Sequence, residues 1–259
     1  MALRTRVISA VVLIPPVLSA VWFGGWAFAG LAGLASALMT WEWFRMASSG
    51  HFTLFGGGVA VGLAFACLSV VVNPLVSVSV VLSVAALAIL ITKRAWIGWG
   101  VLYAGLPSVA LVWLRGAEDH GRDILLSLML VVWAIDIFAY VFGRLIGGPL
   151  LAPSISPKKT WAGLLGGMFG ASLVGAALVT YSGVSFAGQM GLLMIVPICA
   201  VLAIVEQAGD FLESWVKRCW GVKDSSGLIP GHGGVMDRVD GLLAAGLVVA
   251  AGKLIADWI

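Results

Sequence analysis

"LLMIVPICAVLAIVEQAGDFLESWVKR", residues 192–218, decides how this chain is built. Its first half is apolar enough to lie in lipid. Its second half carries Glu206, Asp210, Glu213, Lys217 and Arg218, and no turn cluster separates the two. Glu206, Asp210, Glu213 and Lys217 are spaced by four, three and four residues. At about 100° per residue they share one narrow face of a helix. The spacing therefore predicts a membrane helix that runs on past the bilayer with an acidic stripe, Ser214 lying beside it.

The rest of the chain agrees with a lipid setting. Of its 259 residues, 61% are hydrophobic and 10% charged, where a soluble domain carries about a quarter charged residues. The apolar runs are helix-length, unlike the alternating segments of a membrane barrel. The expected fold is all-α, a polytopic integral membrane protein with about nine spans near the ~20 residues a bilayer requires. They fall at 7–23, 26–44, 55–72, 75–92, 96–114, 125–142, 161–181, 190–205 and 242–259. The whole chain reads as one membrane domain, with N-terminal helices over 1–120 and a second set of helices with the long polar loops over 121–259. The run after "MALRTR" lacks a clear cleavage site and leads straight into another span, so it is read as a first span and not as a leader.

Several function classes drop out. Cys67, Cys199 and Cys219 form no CxxC pair and no zinc spacing, and read as small apolar fillers. No GxxxxGK[ST] sequence is present, which excludes a P-loop enzyme. "GGGVAVG" (56–62) and "GLLGGMFGASLVGA" (163–176) lie in apolar runs with no strand before them. They read as close-contact surfaces between membrane helices, not nucleotide loops.

Placing the N-terminus in the cytoplasm puts twelve of the fifteen Lys and Arg residues on that side, with Arg115 and Arg122 opposite and Lys253 inside the last span. This is the expected bias of an inner-membrane protein. Both long polar loops, 143–160 and 206–240, then face the cytoplasm.

The second loop, "SWVKRCWGVKDSSGLIPGHGGVMDRVD" (214–240), concentrates the charge. From Glu206 to Asp240 there are six acids and four bases, a net of −2. A pure phosphate patch would be positive. Carboxylates mixed with Lys and Arg among glycines suit a hard divalent cation that helps the bases hold phosphate. His232, flanked by Gly231, Gly233 and Gly234, is placed to hydrogen-bond phosphate or a metal-bound water. An earlier stretch, "WAIDIFAYVFGRLIG" (133–147), puts Asp136 in an apolar span with Tyr140 and Arg144 on its face. An intramembrane carboxylate is a site candidate by default. "SISPKKTWAG" (154–163) then sets Ser156, Lys158 and Lys159 at the edge of the next span, suited to anionic headgroups.

The stretch 214–240 resembles the signature of phosphatidate cytidylyltransferases, also called CDP-diacylglycerol synthases. The pattern runs Ser, two residues, Lys-Arg, four residues, Lys-Asp, then Pro and His-Gly-Gly, then Asp-Arg-x-Asp, and every position fits. "DIFAYVFGRLIG", "SPKKTWAG" and "EQAGDFLES" resemble the family in the same order. The chain departs at Ala162, where the family often has an acid, and at Gly241, where serine is common. No role is carried to Ala162.

The resemblance implies transfer of CMP from CTP to phosphatidate, giving CDP-diacylglycerol and pyrophosphate. Under it Asp210 and Asp237 hold Mg²⁺, with Asp224 and Asp240 the next ligands and a second ion left open. Lys217, Arg218, Lys223 and Arg238 bind the phosphates, completing the catalytic set with the four aspartates. Asp136, Ser156, Lys158 and Lys159, with Ser214, His232, Gly233 and Gly234, shape the nucleotide or lipid-headgroup pocket. The expected partners are CTP, phosphatidate and the bilayer, with no nucleic acid; a homodimer is left open. Two other classes share single features with this chain. A CDP-alcohol phosphatidyltransferase requires Ala-Arg after the Asp-Gly, where this chain has Ala244-Ala245. A transporter built on intramembrane acids would show repeated halves, which are not seen here.

Overall fold

A computed structural model describes residues 3–48, 53–117, 120–182 and 191–257. Met190 and Ile259, the expected limits of the eighth and ninth spans, lie outside them. Among the described residues there are nine α-helices: α1 (Leu3–Phe23), α2 (Gly25–Ala47), α3 (Leu54–Ser69), α4 (Pro74–Thr92), α5 (Ala95–Gly116), α6 (Gly121–Leu145), α7 (Trp161–Ala177), α8 (Leu192–Cys219) and α9 (Met236–Ala256). The all-α expectation holds. By length and composition seven helices can cross a membrane. Of the other two, α3 is apolar but has only 16 residues, and α2 has its apolar run diluted by glycines, tryptophans and Glu42.

Helix starts follow from local chemistry. Asn73 caps α4, its Oδ1 accepting from Leu75 N at 2.9 Å, with Pro74 pre-set for the first turn. Thr160 caps α7, its Oγ1 accepting from Gly163 N at 3.0 Å. One feature departs from the sequence reading. Part of the loop 143–160 forms an antiparallel hairpin of β1 (Leu150–Ala152) and β2 (Ser156–Thr160), with Leu150 opposite Thr160 and Ala152 opposite Ser156. Pro157 inside β2 hid it, because a proline demotes a short run from strand to loop.

Two compact units make up the chain: Met1–Ala117 with Cys219–Val239, and Glu118–Arg218 with Asp240–Ile259. In the first, α5 is central; 72% of its apolar window is buried, against 22% for α4 and 11% for α1. Met39, Leu63, Val81, Val101 and Leu114 form its interior, none more than 1% exposed. In the second, Val131 and Ile135 of α6, Ala171 of α7 and Ile195, Cys199 and Ala203 of α8 make one cluster. Of the cysteines read as fillers, Cys67 and Cys199 are buried, whereas Cys219 is exposed.

Lipid is as apolar as leucine, so membrane helices gain from close fit and not from water exclusion. The glycine runs supply that fit. A Cβ at Gly166 or Gly170 of α7 would collide with Phe142 or Phe138 of α6, and one at Gly62 of α3 would press Val84 of α4 at 3.1 Å. Gly170→Leu should therefore lower the melting temperature of the detergent-solubilised protein, because overfilling a tight contact costs about 1–3 kcal/mol. Gly58→Leu, where an added Cβ meets open space, should leave it unchanged. Equal melting temperatures for wild type and Gly170→Leu would contradict the close α6–α7 fit.

Candidate active site

The second unit gathers carboxylates around α8. The acidic stripe is real: α8 is one unbroken helix from Leu192 to Cys219, although it contains Pro197. Glu206 and Glu213 are buried, at 5% and 1% exposure. Single oxygens of Asp210, Glu213 and Asp240 all lie within 4.8 Å of one another. Glu206 also feels the charges of Asp136, Lys159, Asp210 and Asp240. So many carboxylates in an apolar setting repel unless cations compensate them.

Two lysines do so. Lys159, carried in by β2, pairs with Asp210, whose other oxygen accepts from Ser214 Oγ at 3.2 Å. Lys217 pairs with Glu213 at 2.7 Å, one turn away on α8. Lys159, expected among the headgroup residues, is thus held against an expected metal ligand. Lys158, its neighbour, is exposed, as are Asp136 and Arg218, while Ser156 is partly buried. Gly241, the departure from the family pattern, matters for contact: a Cβ there would run into Glu206. On α6, Arg144 Nη1 donates to Tyr140 Oη at 3.5 Å.

The first unit holds the glycine loop. Ile229 and Gly233 exchange backbone hydrogen bonds of 2.8 and 3.1 Å, closing a turn that carries His232. Gly231 and Gly233 have φ of +81° and +90°, which side-chain-bearing residues rarely adopt. A cavity of about 490 Å³ opens beside the loop, lined in part by Lys223, Asp224, His232, Gly233 and Arg238. Gly234 is buried behind it.

Two carboxylates hold this loop from behind. Asp237 Oδ2 accepts from Ser225 N at 2.9 Å, Ser225 Oγ at 2.8 Å and Gly234 N at 2.7 Å. Glu42 of α2, fully buried, accepts from Ser226 Oγ at 2.7 Å and from Val235 N and Met236 N at 2.8 Å each. Val235 and Met236 are among the orphan donors at the start of α9, where a carboxylate also meets the positive helix end. A Cβ at Gly234 would strike both Glu42 and Ser225, so glycine is required there.

Asp210 and Asp240 belong to the close group and Glu213 joins them, whereas neither Asp237 nor Asp224 is part of such a group among the described residues. Glu213 was visible on the stripe but received no role. Glu42 stands near the end of the apolar run 26–44 and belongs to none of the motifs. Its partners lie up to 194 residues away, a distance no local pattern reveals.

Lipid-soluble helices bearing a carboxylate–lysine cluster and a basic cavity define a membrane protein suited to phosphate-bearing ligands. The chain belongs to the cytidylyltransferase family, whose model matches residues 4–254. It is 40% identical over 252 residues to a protein of Brucella abortus biovar 1 (strain 9-941) named phosphatidate cytidylyltransferase, covering 94% of this chain and 90% of that one. A protein of the same name from Pseudomonas aeruginosa (strain PAO1) is 34% identical, with 99% of this chain and 98% of the relative covered. A third, from Haemophilus influenzae, is 41% identical over 126 residues, 49% of this chain.

The Glu42 contacts make a prediction about the loop. Leaving a buried donor unsatisfied costs about 1–3 kcal/mol, so Glu42→Ala should speed hydrogen exchange at Val235 and Met236 by about five- to a hundredfold. Glu42→Gln, which keeps one acceptor oxygen, should fall between. Wild-type exchange in Glu42→Ala would show that the loop is held without this carboxylate.

Proposed function

We propose that this protein is a phosphatidate cytidylyltransferase, transferring CMP from CTP to phosphatidate to give CDP-diacylglycerol and pyrophosphate. The observation that carries the reading is its likeness, at 34% and 40% identity over most of the chain, to proteins of that name. The signature at 214–240, complete in this sequence, is part of that likeness.

The chemistry fits the residues. An oxygen of the phosphatidate phosphate bonds to the α-phosphorus of CTP, and the bond to the departing pyrophosphate oxygen breaks. That attacking oxygen is already an anion, so no strong general base is needed. The barrier lies in bringing two anions together and in charge growing on pyrophosphate, which fixed cations offset. In this reading Lys223 and Arg238 bind phosphate in the cavity and His232 donates to it; Lys217 and Arg218 are also assigned to substrate phosphate. Asp210, Glu213 and Asp240 form an all-oxygen donor set, which fits a hard divalent cation such as Mg²⁺. When bound, that ion would neutralise phosphate charge and polarise the breaking bond.

The remaining assignments follow. Lys159 and Lys217 compensate the cluster's carboxylates, and Ser214 orients Asp210. Asp237 positions the glycine loop, and Asp224 lines the rim of the cavity. Asp136, Ser156 and Lys158 are assigned to the lipid headgroup. All nine helices are taken to cross the inner membrane as one functional domain, with loops 143–160 and 206–240 in the cytoplasm; the twelve-of-fifteen Lys/Arg bias supports this.

One assay addresses activity and sidedness together. Sealed inside-out vesicles carrying the protein and phosphatidate should release pyrophosphate when CTP is added outside, and right-side-out vesicles should not. The detergent-solubilised protein should be active whatever the orientation. No phosphatidate-dependent release in detergent would overturn the function, and release from right-side-out vesicles alone would reverse the topology.

A further inference from the structure

The cavity beside the glycine loop has one wall that none of the sequence motifs touches. Arg6 of α1 lines it together with Lys223, Asp224, His232 and Arg238. The approach is close. A Cβ at Gly231 would lie 3.1 Å from Arg6 Cγ and 3.5 Å from Arg6 N. Ser9, one turn along α1, donates from Oγ to Pro230 O at 2.8 Å. At the other end of the helix, Arg115 donates to Val21 O and Trp22 O at 2.5 and 2.9 Å. Because only 11% of the apolar window of α1 is buried, these polar contacts fix the helix where apolar contact does little.

The charges point to the ligand. Arg6, Lys223 and Arg238 make no ion pair among the described residues, and neither does Asp224. Three bases against one acid leave the cavity with a net charge of +2. His232 Nδ1 is buried in the same place without a hydrogen-bond partner among the described residues. Unpaired guanidinium groups beside an unsatisfied imidazole nitrogen call for a multivalent oxyanion, and guanidinium binds phosphate in a forked, two-bond geometry that ammonium cannot match.

We propose that Arg6 is a substrate-binding residue, the third cation of this cavity, which clamps a phosphoryl group from the side of α1 opposite the signature loop's own bases. Ser9 positions it by tying α1 to Pro230. The inference rests on the proposed reaction for the identity of the phosphate, which belongs to CTP or to phosphatidate. It does not rest on that reaction for the existence of the anion site.

Arg6→Ala, Arg6→Lys and Arg4→Ala proteins in detergent test it; Arg4 carries the same charge near the N-terminus but does not line the cavity. Equilibrium binding of CTP and of inorganic pyrophosphate is measured alongside the KM for each substrate. Arg6→Ala should weaken pyrophosphate binding at least about tenfold, a loss in the range expected for one charged hydrogen bond. Arg6→Lys should recover part of it, and Arg4→Ala should match wild type. A raised KM for CTP alone would assign the phosphoryl group to the nucleotide, and a raised KM for phosphatidate alone to the lipid. Either supports the inference. Unchanged binding and KM values in Arg6→Ala, or equal losses in Arg4→Ala, would overturn it. If wild type binds pyrophosphate through Arg6 yet turns over no phosphatidate, the anion site stands and the proposed reaction fails.

Discussion

The ion pairs of Lys159 with Asp210 and Lys217 with Glu213 are what lets α8 carry a row of acids in an apolar setting. Removing a carboxylate from water costs on the order of several kcal/mol even after relaxation. Along α8 the chain takes three acids, Glu206, Asp210 and Glu213, onto one face, and Asp240 adds a fourth. The lysines offset only part of that charge. A Cβ at Gly209 of α8 would run into Ala244 of α9, so the two helices that carry these acids touch closely, and the oxygen set they present suits a small, hard cation.

The glycine loop shows a different solution to the same problem. Glu42 and Asp237 are buried carboxylates that accept from backbone amides and serine hydroxyls. This leaves the loop's own bases unspent. Lys223 and Arg238 line a cavity and make no ion pair among the described residues, which suits an anionic ligand that must arrive and leave. The chain thus uses amides where rigidity is wanted and leaves cations open where binding is wanted.

How much of this was legible follows from the range of each interaction. The helices were readable because composition and run length are local signals. The continuity of α8 was readable because a four-three-four spacing of Glu206, Asp210, Glu213 and Lys217 makes sense only on a helix. The hairpin of β1 and β2 was not, since Pro157 masks a strand whose pairing depends on the partner. Glu42 was opaque because its value lies in donors supplied by Ser226, Val235 and Met236 from the far end of the chain. Asp237 stands in the motif as an expected ligand, and nothing local to it foretells that its Oδ2 accepts from three loop donors. A sequence shows that a carboxylate is present; only the fold shows which charges it meets.

The central claim is that Asp210, Glu213 and Asp240 together bind a divalent cation. Its most direct test is Mn²⁺ binding, followed by electron paramagnetic resonance, to the detergent-solubilised wild type and to Asp210→Asn, Asp240→Asn and Asp224→Asn variants. The account predicts saturable binding in wild type and Asp224→Asn and affinity at least about tenfold weaker in Asp210→Asn and Asp240→Asn, since each substitution removes both a ligand and a charge. Wild-type affinity in both of those variants would contradict it.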